Sequence, residues 1–347
     1  MNFQLVQYLR ELAQIELVSW GGSQKWLPLI LLYFFIKSFW ILLRRNIDII
    51  HLGDALLAPL GFMLGQIFRK PVTVTVHAKD IVWNFKLYQL LIPRFLSRLQ
   101  KVICVSKHTR KECIIRGVKP RKAVVIPNGV DPSEFPMNED KQTIRRLLSA
   151  RLNIDIGEKK LLLSVGRLVH RKGFHWFISN VMPNLVEIRR DILYLIAGEG
   201  PLHKEIQGVI KRRGLEEYVV LLGMVDNKTL KLLYNASDVL IMPNIRVEGD
   251  TEGFVIVALE ASSCGLPVIA SRLEGIEDAV KDGVNGLLVE PYDAEGFVKA
   301  VIKTLERNGF DSEYIRLFVT ENFSWDLVSA RYLAEFKDCV RKKRHFH

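Results

Sequence analysis

Cysteine is scarce in this 347-residue sequence, and its residues show no spacing that would gather them around a metal. Three of the four stand among apolar residues, as reduced core thiols do. A cluster of aspartates suited to a divalent cation is also missing. These absences argue against structural zinc and a metal-dependent reaction, and they indicate a reducing compartment. The four cysteines are Cys104, Cys113, Cys264 and Cys339.

Long hydrophobic runs are almost absent as well. The exception is residues 27–43, LPLILLYFFIKSFWILL, which include Lys37 and have Pro28 near the start. At 17 residues this segment is at the short limit for crossing a bilayer. It also lies too deep in the chain, and lacks a cleavage sequence, to be a signal peptide. We favour a buried helix of an α/β domain, with a helix in the membrane interface or a true span as the alternatives.

Acidic residues are few in the first half of the chain. Residues 1–150 contain 22 Lys and Arg against 10 Asp and Glu, whereas residues 151–340 contain 23 against 28. The segment 341–347 adds four positive charges, for a net charge of +11. No nucleic-acid recognition motif accompanies the basic half, so we expect no nucleic-acid partner. An anionic membrane surface is the partner that this charge favours.

Short apolar runs alternate with amphipathic stretches along most of the chain. Between residues 160 and 309 the runs are nearly uninterrupted, as in parallel strands covered on both faces. The first half repeats this alternation, and a polar stretch at 132–158 separates the halves. The pattern predicts two doubly wound parallel sheets. The predicted strands are 15–20, 47–52, 72–77, 102–106, 123–126, 161–165, 192–197, 219–223, 239–242 and 268–270.

The most informative segment is DVLIMPNIRVEGDTEGFVIVALEASSCGLPVIAS at 238–271. A strand leads into an acidic loop, and we predict that a helix opens at Gly253, with Glu252 at its mouth and Glu260 eight positions later. In a helix these two carboxylates would lie about 12 Å apart along the axis. The helix N-terminus between them presents free N–H groups that suit a phosphate. Two hydroxyl-binding acids with an anion site between them fit a nucleotide sugar.

With its surroundings, this segment resembles the retaining glycosyltransferases of family 4. That resemblance implies the GT-B fold, in which two Rossmann-like α/β domains with doubly wound parallel sheets enclose a cleft. Residues 1–145 would form the acceptor-side domain and 158–322 the nucleotide-sugar-binding domain, while 323–347 would form a helix crossing back. Members of the family open with a strand, a Gly-Gly loop and a helix. Here Met1 is followed directly by a segment that looks like the helix after that loop, NFQLVQYLRELAQ. Gly21-Gly22 comes only after what looks like the second strand, so we expect the N-terminal domain to lack its first strand.

The resemblance implies four charged residues at the donor. Arg167 and Lys172, in SVGRLVHRKGF, match the family's basic pair that grips the donor diphosphate. Fixed cations would stabilise the charge that develops on the leaving group, as a metal does elsewhere. Glu252 would bind the transferred sugar and Glu260 the ribose hydroxyls. The simpler alternatives are a solvated basic loop, a carboxylate at a helix N-terminus and a surface ion pair.

The remaining implied site residues are backbone groups and two acceptor-side side chains. The amides of Gly253 and Phe254 would face the diphosphate, and Gly198, in a Gly-Glu-Gly turn, would lie on the cleft floor. A turn that simply needs small residues explains Gly198 equally well. His77, at the end of a predicted strand, would lie near the transferred sugar and acceptor, and Asp80 would serve the acceptor side.

The sequence thus predicts a retaining, metal-independent glycosyltransferase that needs no cofactor beyond a UDP- or GDP-linked sugar donor. Its acceptor would be a glycan or a lipid-linked molecule in the synthesis of cell-surface polysaccharide, such as lipopolysaccharide, or of glycolipid. We expect it in the cytoplasm, peripheral at the inner face of the membrane. The alternative is a non-catalytic or truncated relative that binds a nucleotide or a partner, which the missing first strand and glycine loop would support.

Overall fold

The computed structural model describes residues 2–22, 26–138, 140–306 and 309–344. The chain forms two compact units. The N-terminal unit comprises Met1–Asn128 with Trp325–His347, and the C-terminal unit comprises Gly129–Ser324. Each unit contains one parallel sheet, of four and six strands respectively. The predicted architecture of two parallel-sheet α/β domains is therefore confirmed, and residues 345–347 of the predicted basic tail lie outside the described residues.

In the N-terminal unit the four strands follow the sheet in chain order, β1-β2-β3-β4. The strands are β1 Ile50–Leu52, β2 Val72–Val76, β3 Lys101–Cys104 and β4 Ala123–Val125. The helices are α1 Asn2–Leu12, α2 Leu27–Arg44, α3 Ala58–Ile67, α4 Ala78–Val82, α5 Lys86–Arg98, α6 Lys107–Ile115 and α16 Trp325–Arg344.

The centre of this sheet contains a buried polar network. Every residue of β2 is buried, including two threonines that would normally prefer water. The imidazole of His51 hydrogen-bonds both, at 2.9 Å to Thr73 Oγ1 and 3.2 Å to Thr75 Oγ1. Thr75 also bonds the hydroxyl of Tyr332 on α16 at 2.9 Å, which ties the last helix to the sheet. Burial lowers the pKa of His51 to about 4, so its ring is neutral.

The strand predicted at 15–20 is wrong. Residues 13–20 have no regular structure, and most of them are exposed. Their apolar residues alternate in the way that favours a strand, but no sheet edge pairs with them. The chain does open with the expected helix, since α1 packs on α16 through Leu5, Leu9 and a stacked contact between Tyr8 and Trp325.

The prediction that segment 27–43 is a buried helix is also wrong. The segment does form a helix, α2, but only Ile30 is buried among its residues. One side contacts α3, where the rings of Phe39 and Phe68 lie 5.1 Å apart. By length and composition, α2 could cross a membrane. Five other apolar side chains form an exposed stripe along the helix: Leu29, Leu32, Ile36, Trp40 and Leu43.

The C-terminal unit has the sheet order β10-β9-β8-β5-β6-β7, all parallel. The order changes direction at β5, and the carboxyl ends of β5 and β8 therefore stand side by side at the edge of the sheet where ligands bind in such folds. The strands are β5 Lys160–Val165, β6 Ile192–Ala197, β7 Val219–Gly223, β8 Val239–Met242, β9 Val268–Ser271 and β10 Gly286–Val289. The helices are α7 Lys141–Leu152, α8 Phe174–Asn180, α9 Met182–Ile188, α10 His203–Arg212, α11 Asn227–Ala236, α12 Ile256–Ser263, α13 Ile276–Ala279, α14 Ala294–Glu306 and α15 Ser312–Phe323.

Helix α7 belongs to the C-terminal unit, although the expected domain boundary at residue 145 falls inside it. Asp238, just before β8, explains this placement. Its carboxylate pairs with Lys141 and Arg145 of α7, each at 2.7 Å. It also accepts a hydrogen bond from the amide of Leu161 at 2.7 Å, which fixes the start of β5. One carboxylate therefore joins α7 to two strands of the sheet.

Candidate active site

A pair of opposite charges lies at the carboxyl ends of β5 and β8. Lys172 Nζ is 2.7 Å from Glu252 Oε2, and the two side chains are only 11% and 14% exposed. Asn244 donates from Nδ2 to the same carboxylate oxygen at 3.3 Å. The structure therefore brings together one cation and one acid of the four that the sequence predicts. Because both side chains are nearly buried, each charge needs the other as its partner, and removing one would leave the other charge uncompensated.

The loops after β5 and β8 hold this pair. Lys172 ends a 3-10 turn, His170–Lys172, that follows β5. The amide of Ile245, in the loop after β8, donates to the carbonyl of Arg171 at 3.0 Å. Since β5 and β8 are neighbours in the sheet, their following loops meet at one edge. The contact between Lys172 and Glu252 is a direct consequence of strand order.

The third loop at this edge fixes the backbone of Glu252. Glu274, in the loop after β9, accepts a hydrogen bond from the Glu252 amide at 2.5 Å. The amide of Gly275 donates to the Glu252 carbonyl at 3.3 Å. A Cβ at Gly275 would lie 2.0 Å from the carbonyl oxygen of Gly253, so only glycine permits this approach. The sequence analysis missed both residues, although they occupy the loop that follows a strand beside β8.

Arg167 does not join the ion pair. Its side chain is exposed, and among the described residues it has no ion pair or hydrogen bond. Arg171 lies there instead, with its Nε 3.4 Å from Asp250 Oδ1 and 3.8 Å from Glu252 Oε2. That buried nitrogen makes no hydrogen bond to the described part of the chain. Neither Arg171, although it precedes Lys172, nor Asp250 is among the site residues predicted from the sequence.

Helix α12 begins later than predicted. It starts at Ile256, not at Gly253, so residues 251–255 form an irregular approach to the helix. Within the described chain, the amides of Gly253 and Phe254 make no hydrogen bond. The Phe254 side chain is buried and lies 6.1 Å, between ring centroids, from Phe323. These two amides therefore belong to the loop before α12 and not to the first turn of the helix.

Glu260 lies on α12 and has a different partner. The hydroxyl of Tyr234, on α11, donates to Glu260 Oε2 at 2.8 Å. Burial raises the pKa of the Glu260 carboxyl above its usual value, and the tyrosine hydrogen bond opposes that shift. The ring of Phe135 packs edge-on against Tyr234, with centroids 6.0 Å apart. Tyr234 therefore sets the orientation of the carboxylate predicted to bind ribose.

Gly198 lies at the end of β6, against the loop that follows β5. Its φ is +145°, and a Cβ there would stand 2.0 Å from the carbonyl oxygen of Gly166. The amide of Gly166 in turn donates to Ala197 at 2.9 Å. Both strand ends can approach this closely only with glycine. The close approach brings the chain that carries Arg167 against the end of β6.

In the N-terminal unit, His77 and Asp80 lie together after β2. The His77 amide donates to Asp80 Oδ2 at 2.9 Å, at the start of α4. Burial lowers the pKa of His77 and raises the pKa of Asp80 to about 7. The negative charge of Asp54, which follows β1, raises both. The sequence analysis missed Asp54, although it stands at the same edge of the sheet as His77.

The pKa of Asp80 leads to a prediction about pH. Its value is higher in the folded protein than in the unfolded chain, so the folded state binds an extra proton between about pH 4 and 7. The free energy of unfolding therefore decreases as the pH rises through that window. We expect Asp80→Asn to remove this decrease and to be more stable than the wild type at pH 8.

Urea unfolding at pH 5 and pH 8 measures the effect. The matched control is Asp48→Asn, which removes an exposed carboxylate from the same unit and should leave the pH dependence intact. If Asp80→Asn and Asp48→Asn showed the same change between the two pH values, the assigned titration of Asp80 would be wrong.

One group of side chains in the described chain offers three metal ligands. His170, His175 and Glu205 have ligand atoms within 4.8 Å of one another. The two imidazole rings meet edge to face, with centroids 5.4 Å apart. This group does not include the acids predicted to bind the donor, and the chemistry of the Lys172–Glu252 pair does not require it.

Two family models match the chain. The model described as glycosyl transferases group 1 matches residues 150–316, and that of glycosyltransferase family 4 matches residues 6–134. An uncharacterised glycosyltransferase of Methanocaldococcus jannaschii is 32% identical over 316 residues, covering 87% of this chain and 78% of that protein. The GDP-mannose-dependent alpha-(1-6)-phosphatidylinositol monomannoside mannosyltransferase of Mycolicibacterium smegmatis is 29% identical over 313 residues, covering 87% and 79%.

Solved structures agree on the fold. Anabaena HepE in complex with UDP superposes with a TM-score of 0.77 at 19% identity, over 96% of this chain and 88% of that one. The Thermosynechococcus elongatus sucrose-phosphate synthase has a TM-score of 0.72 at 23% identity, over 94% and 82%. These structures confirm the predicted GT-B fold. Since the family models and the archaeal relative together account for both units, the chain belongs to glycosyltransferase family 4 and is a glycosyltransferase.

Proposed function

We propose that this enzyme transfers a sugar from a UDP- or GDP-linked donor to a lipid-linked or glycan acceptor, with retention of configuration and without a metal. The observation that carries the proposal is the Lys172–Glu252 pair, followed by the Gly253 and Phe254 amides, which bond to no other residue that the structure describes. The pair offers one group for an anion and one for hydroxyls at a single point. The relative from M. smegmatis is GDP-mannose-dependent, and one from Escherichia coli is named as a UDP-Gal transferase, which supports a nucleotide-sugar donor.

Donor binding would exchange partners at this site. A diphosphate is the stronger competitor for Lys172, because it carries more charge than the single carboxylate of Glu252. Once Lys172 turns to the diphosphate, Glu252 is free to accept hydrogen bonds from the sugar hydroxyls. The amides of Gly253 and Phe254 would donate to the phosphates, and Arg167 and Arg171 would add positive charge. Glu260, held by Tyr234, would accept from the ribose diol.

Charge development in the transition state explains why cations are needed. As the bond from the anomeric carbon to oxygen breaks, its electron pair passes to the nucleoside diphosphate. A fixed lysine stabilises that charge without waiting for solvent to reorganise. With retention, the acceptor oxygen attacks the anomeric carbon from the same face as the one from which the leaving group departs. The leaving phosphate oxygen takes the proton of the acceptor hydroxyl. His77 and Asp80 would position the sugar and the acceptor.

Apolar surface beside His77 favours a lipid-linked acceptor. Helix α4 starts directly after His77, and the segment that follows it exposes three large apolar side chains, those of Trp83, Phe85 and Leu87. The M. smegmatis relative is named for a phosphatidylinositol monomannoside, and the E. coli relative for a diphosphoundecaprenol-linked sugar. Both names describe lipid-linked acceptors. These observations support glycolipid or cell-surface polysaccharide synthesis as the role of this chain.

The exposed stripe of α2 supports a peripheral position at the inner face of the membrane. Leu29, Leu32, Ile36, Trp40 and Leu43 recur at intervals of three or four residues, so they share one face. Basic side chains accompany them, and the guanidinium of Arg44 lies 4.9 Å from the Trp40 ring. A helix with one exposed apolar face and flanking cations is suited to the interface of an anionic bilayer.

We expect the double substitution Leu32→Ser with Trp40→Ser to weaken binding to anionic vesicles by about tenfold or more, since both side chains lose apolar burial. Vesicle sedimentation measures this. Ile115→Ser is the control, because Ile115 is a more exposed apolar residue of the same unit but lies on α6. Binding by the wild type should also fall steeply with salt. Salt-insensitive binding, or an equal loss for Ile115→Ser, would reject the proposal.

Calorimetry with UDP, GDP and ADP, followed by turnover with the sugars of whichever nucleotide binds, tests the transferase proposal. We expect one nucleotide to bind, and its sugar donor to be consumed in the presence of polyprenyl-diphosphate acceptors and unchanged by EDTA. Proton NMR of the product distinguishes retention from inversion. Tight nucleotide binding without donor turnover would favour a non-catalytic, nucleotide-binding relative instead.

A further inference from the structure

A second basic site lies at the other end of the N-terminal sheet. A cavity of about 320 Å³ opens beside the start of β2, at the edge opposite to His77. This volume is at the lower end of the range for small-ligand sites. Its charged side chains are all cations: Arg69, Lys70, Arg98 and Lys343. None of the four has an ion pair with any described residue.

The neighbouring cations of α16 make this lack of partners notable. Arg341 and Lys342 both pair with Asp338, at 3.3 and 2.6 Å. Lys101, at the start of β3, pairs with Glu335 at 2.6 Å. These three cations have carboxylate partners, whereas the four that line the cavity have none among the described residues. Burial lowers the pKa of Lys343, and the positive charges of Lys70 and Arg69 lower it further.

Arg98 and Arg69 are placed at the cavity without a carboxylate partner, the first by aromatic rings and the second by its backbone conformation. The guanidinium of Arg98 lies over the rings of Phe62 and Phe95, at 5.6 and 5.8 Å from their centroids. Such contacts fix the direction of a cation without neutralising it. Arg69 follows α3 with a φ of +51°, in the left-handed position where helices usually end on glycine. The chain thus accepts backbone strain at the position that places an arginine at the cavity.

We propose that this cavity binds a phosphoryl group, independently of the donor site. Four unneutralised cations around a small volume match a compact, multiply charged anion, and arginine suits phosphate through its fork of donors. The amide side chains of Gln66 and Gln100 also line the cavity and can donate. Met63 and Ile67 of α3 are exposed next to the lining residues, which suits a phosphoryl group on a lipid headgroup as well as free phosphate.

The test compares the double substitution Lys70→Gln with Arg98→Gln against Lys111→Gln with Lys119→Gln. The control removes two exposed cations of the same unit that do not line the cavity. Inorganic phosphate and glycerol 3-phosphate are titrated by calorimetry into both double variants, which keep the same donor site, so that any binding there is equal in the two. We expect the cavity variant to bind about tenfold more weakly than the control. Equal affinities would overturn the proposal.

Vesicles distinguish the two sources of the phosphoryl group. If the ligand is a lipid headgroup, the wild type should prefer phosphatidic acid over phosphatidylserine at matched surface potential, and the cavity variant should lose that preference. If the ligand is free phosphate, the phosphate titration should show the loss while the vesicles show none. Should the double variant fail to fold, Lys343→Gln, near the end of α16, carries the same comparison. Because donor turnover does not enter these measurements, their failure would leave the transferase proposal intact.

Discussion

Replacing Lys172 with methionine should lower kcat/KM for sugar transfer by about 10²- to 10³-fold, the usual effect of losing one fixed stabilising group at a developing charge. Methionine keeps the length of the side chain and removes its charge. The loss should appear mainly in kcat, since the charge on the leaving diphosphate is larger in the transition state than in the bound donor. Initial rates measured across a range of donor concentrations give both kcat and KM.

Stability must be separated from catalysis in this experiment. Lys172→Met leaves the nearly buried carboxylate of Glu252 without its 2.7 Å partner, which costs about 3–5 kcal/mol. Adding Glu252→Gln removes the stranded charge, so the double variant should recover stability but not activity. Lys204→Met removes an exposed cation of α10 and should change neither. Recovery of activity in the double variant would show that Lys172 acts only as the structural partner of Glu252.

The meeting of Lys172 with Glu252 could be predicted from the sequence because strand order decides it. Apolar runs identified β5 and β8, and the loops that follow adjacent parallel strands meet at one edge. The position of Arg167 could not be predicted in the same way. A side chain in a loop takes its direction from backbone angles that no periodicity records, and here the adjacent Arg171 lies nearer the acid.

The two failures in the N-terminal unit have a shared cause. Both the strand at 15–20 and the buried helix at 27–43 were inferred from apolar content. Apolar content shows that a segment avoids water, but it does not identify what covers the segment. In α2 only Ile30 is buried by the protein, and a bilayer would satisfy the same sequence. Strand order places Asp54 and Glu274 at the right edges of their sheets, but the contact that each one makes depends on loop conformations that the apolar pattern does not give.

Gly198→Ala should strongly destabilise the C-terminal unit. The added Cβ would lie 2.0 Å from the carbonyl oxygen of Gly166, a distance that no real contact allows. Because the obstacle is backbone, and not a side chain that can rotate away, β5 and β6 would have to separate. The φ of +145° adds a further penalty for any residue with a Cβ. We expect a loss of about 3 kcal/mol or more in the free energy of unfolding.

A second glycine provides the control for backbone conformation. Gly214 also has a positive φ, +63°, but a Cβ there would meet nothing within 4 Å. Gly214→Ala should therefore cost only the conformational term, about 1 kcal/mol. Urea unfolding of both variants separates the steric cost from the conformational one. Equal losses would mean that the close approach of Gly198 to Gly166 is not needed for stability. A larger loss at Gly198 would show that this contact supports the loop that carries Arg167 and Lys172.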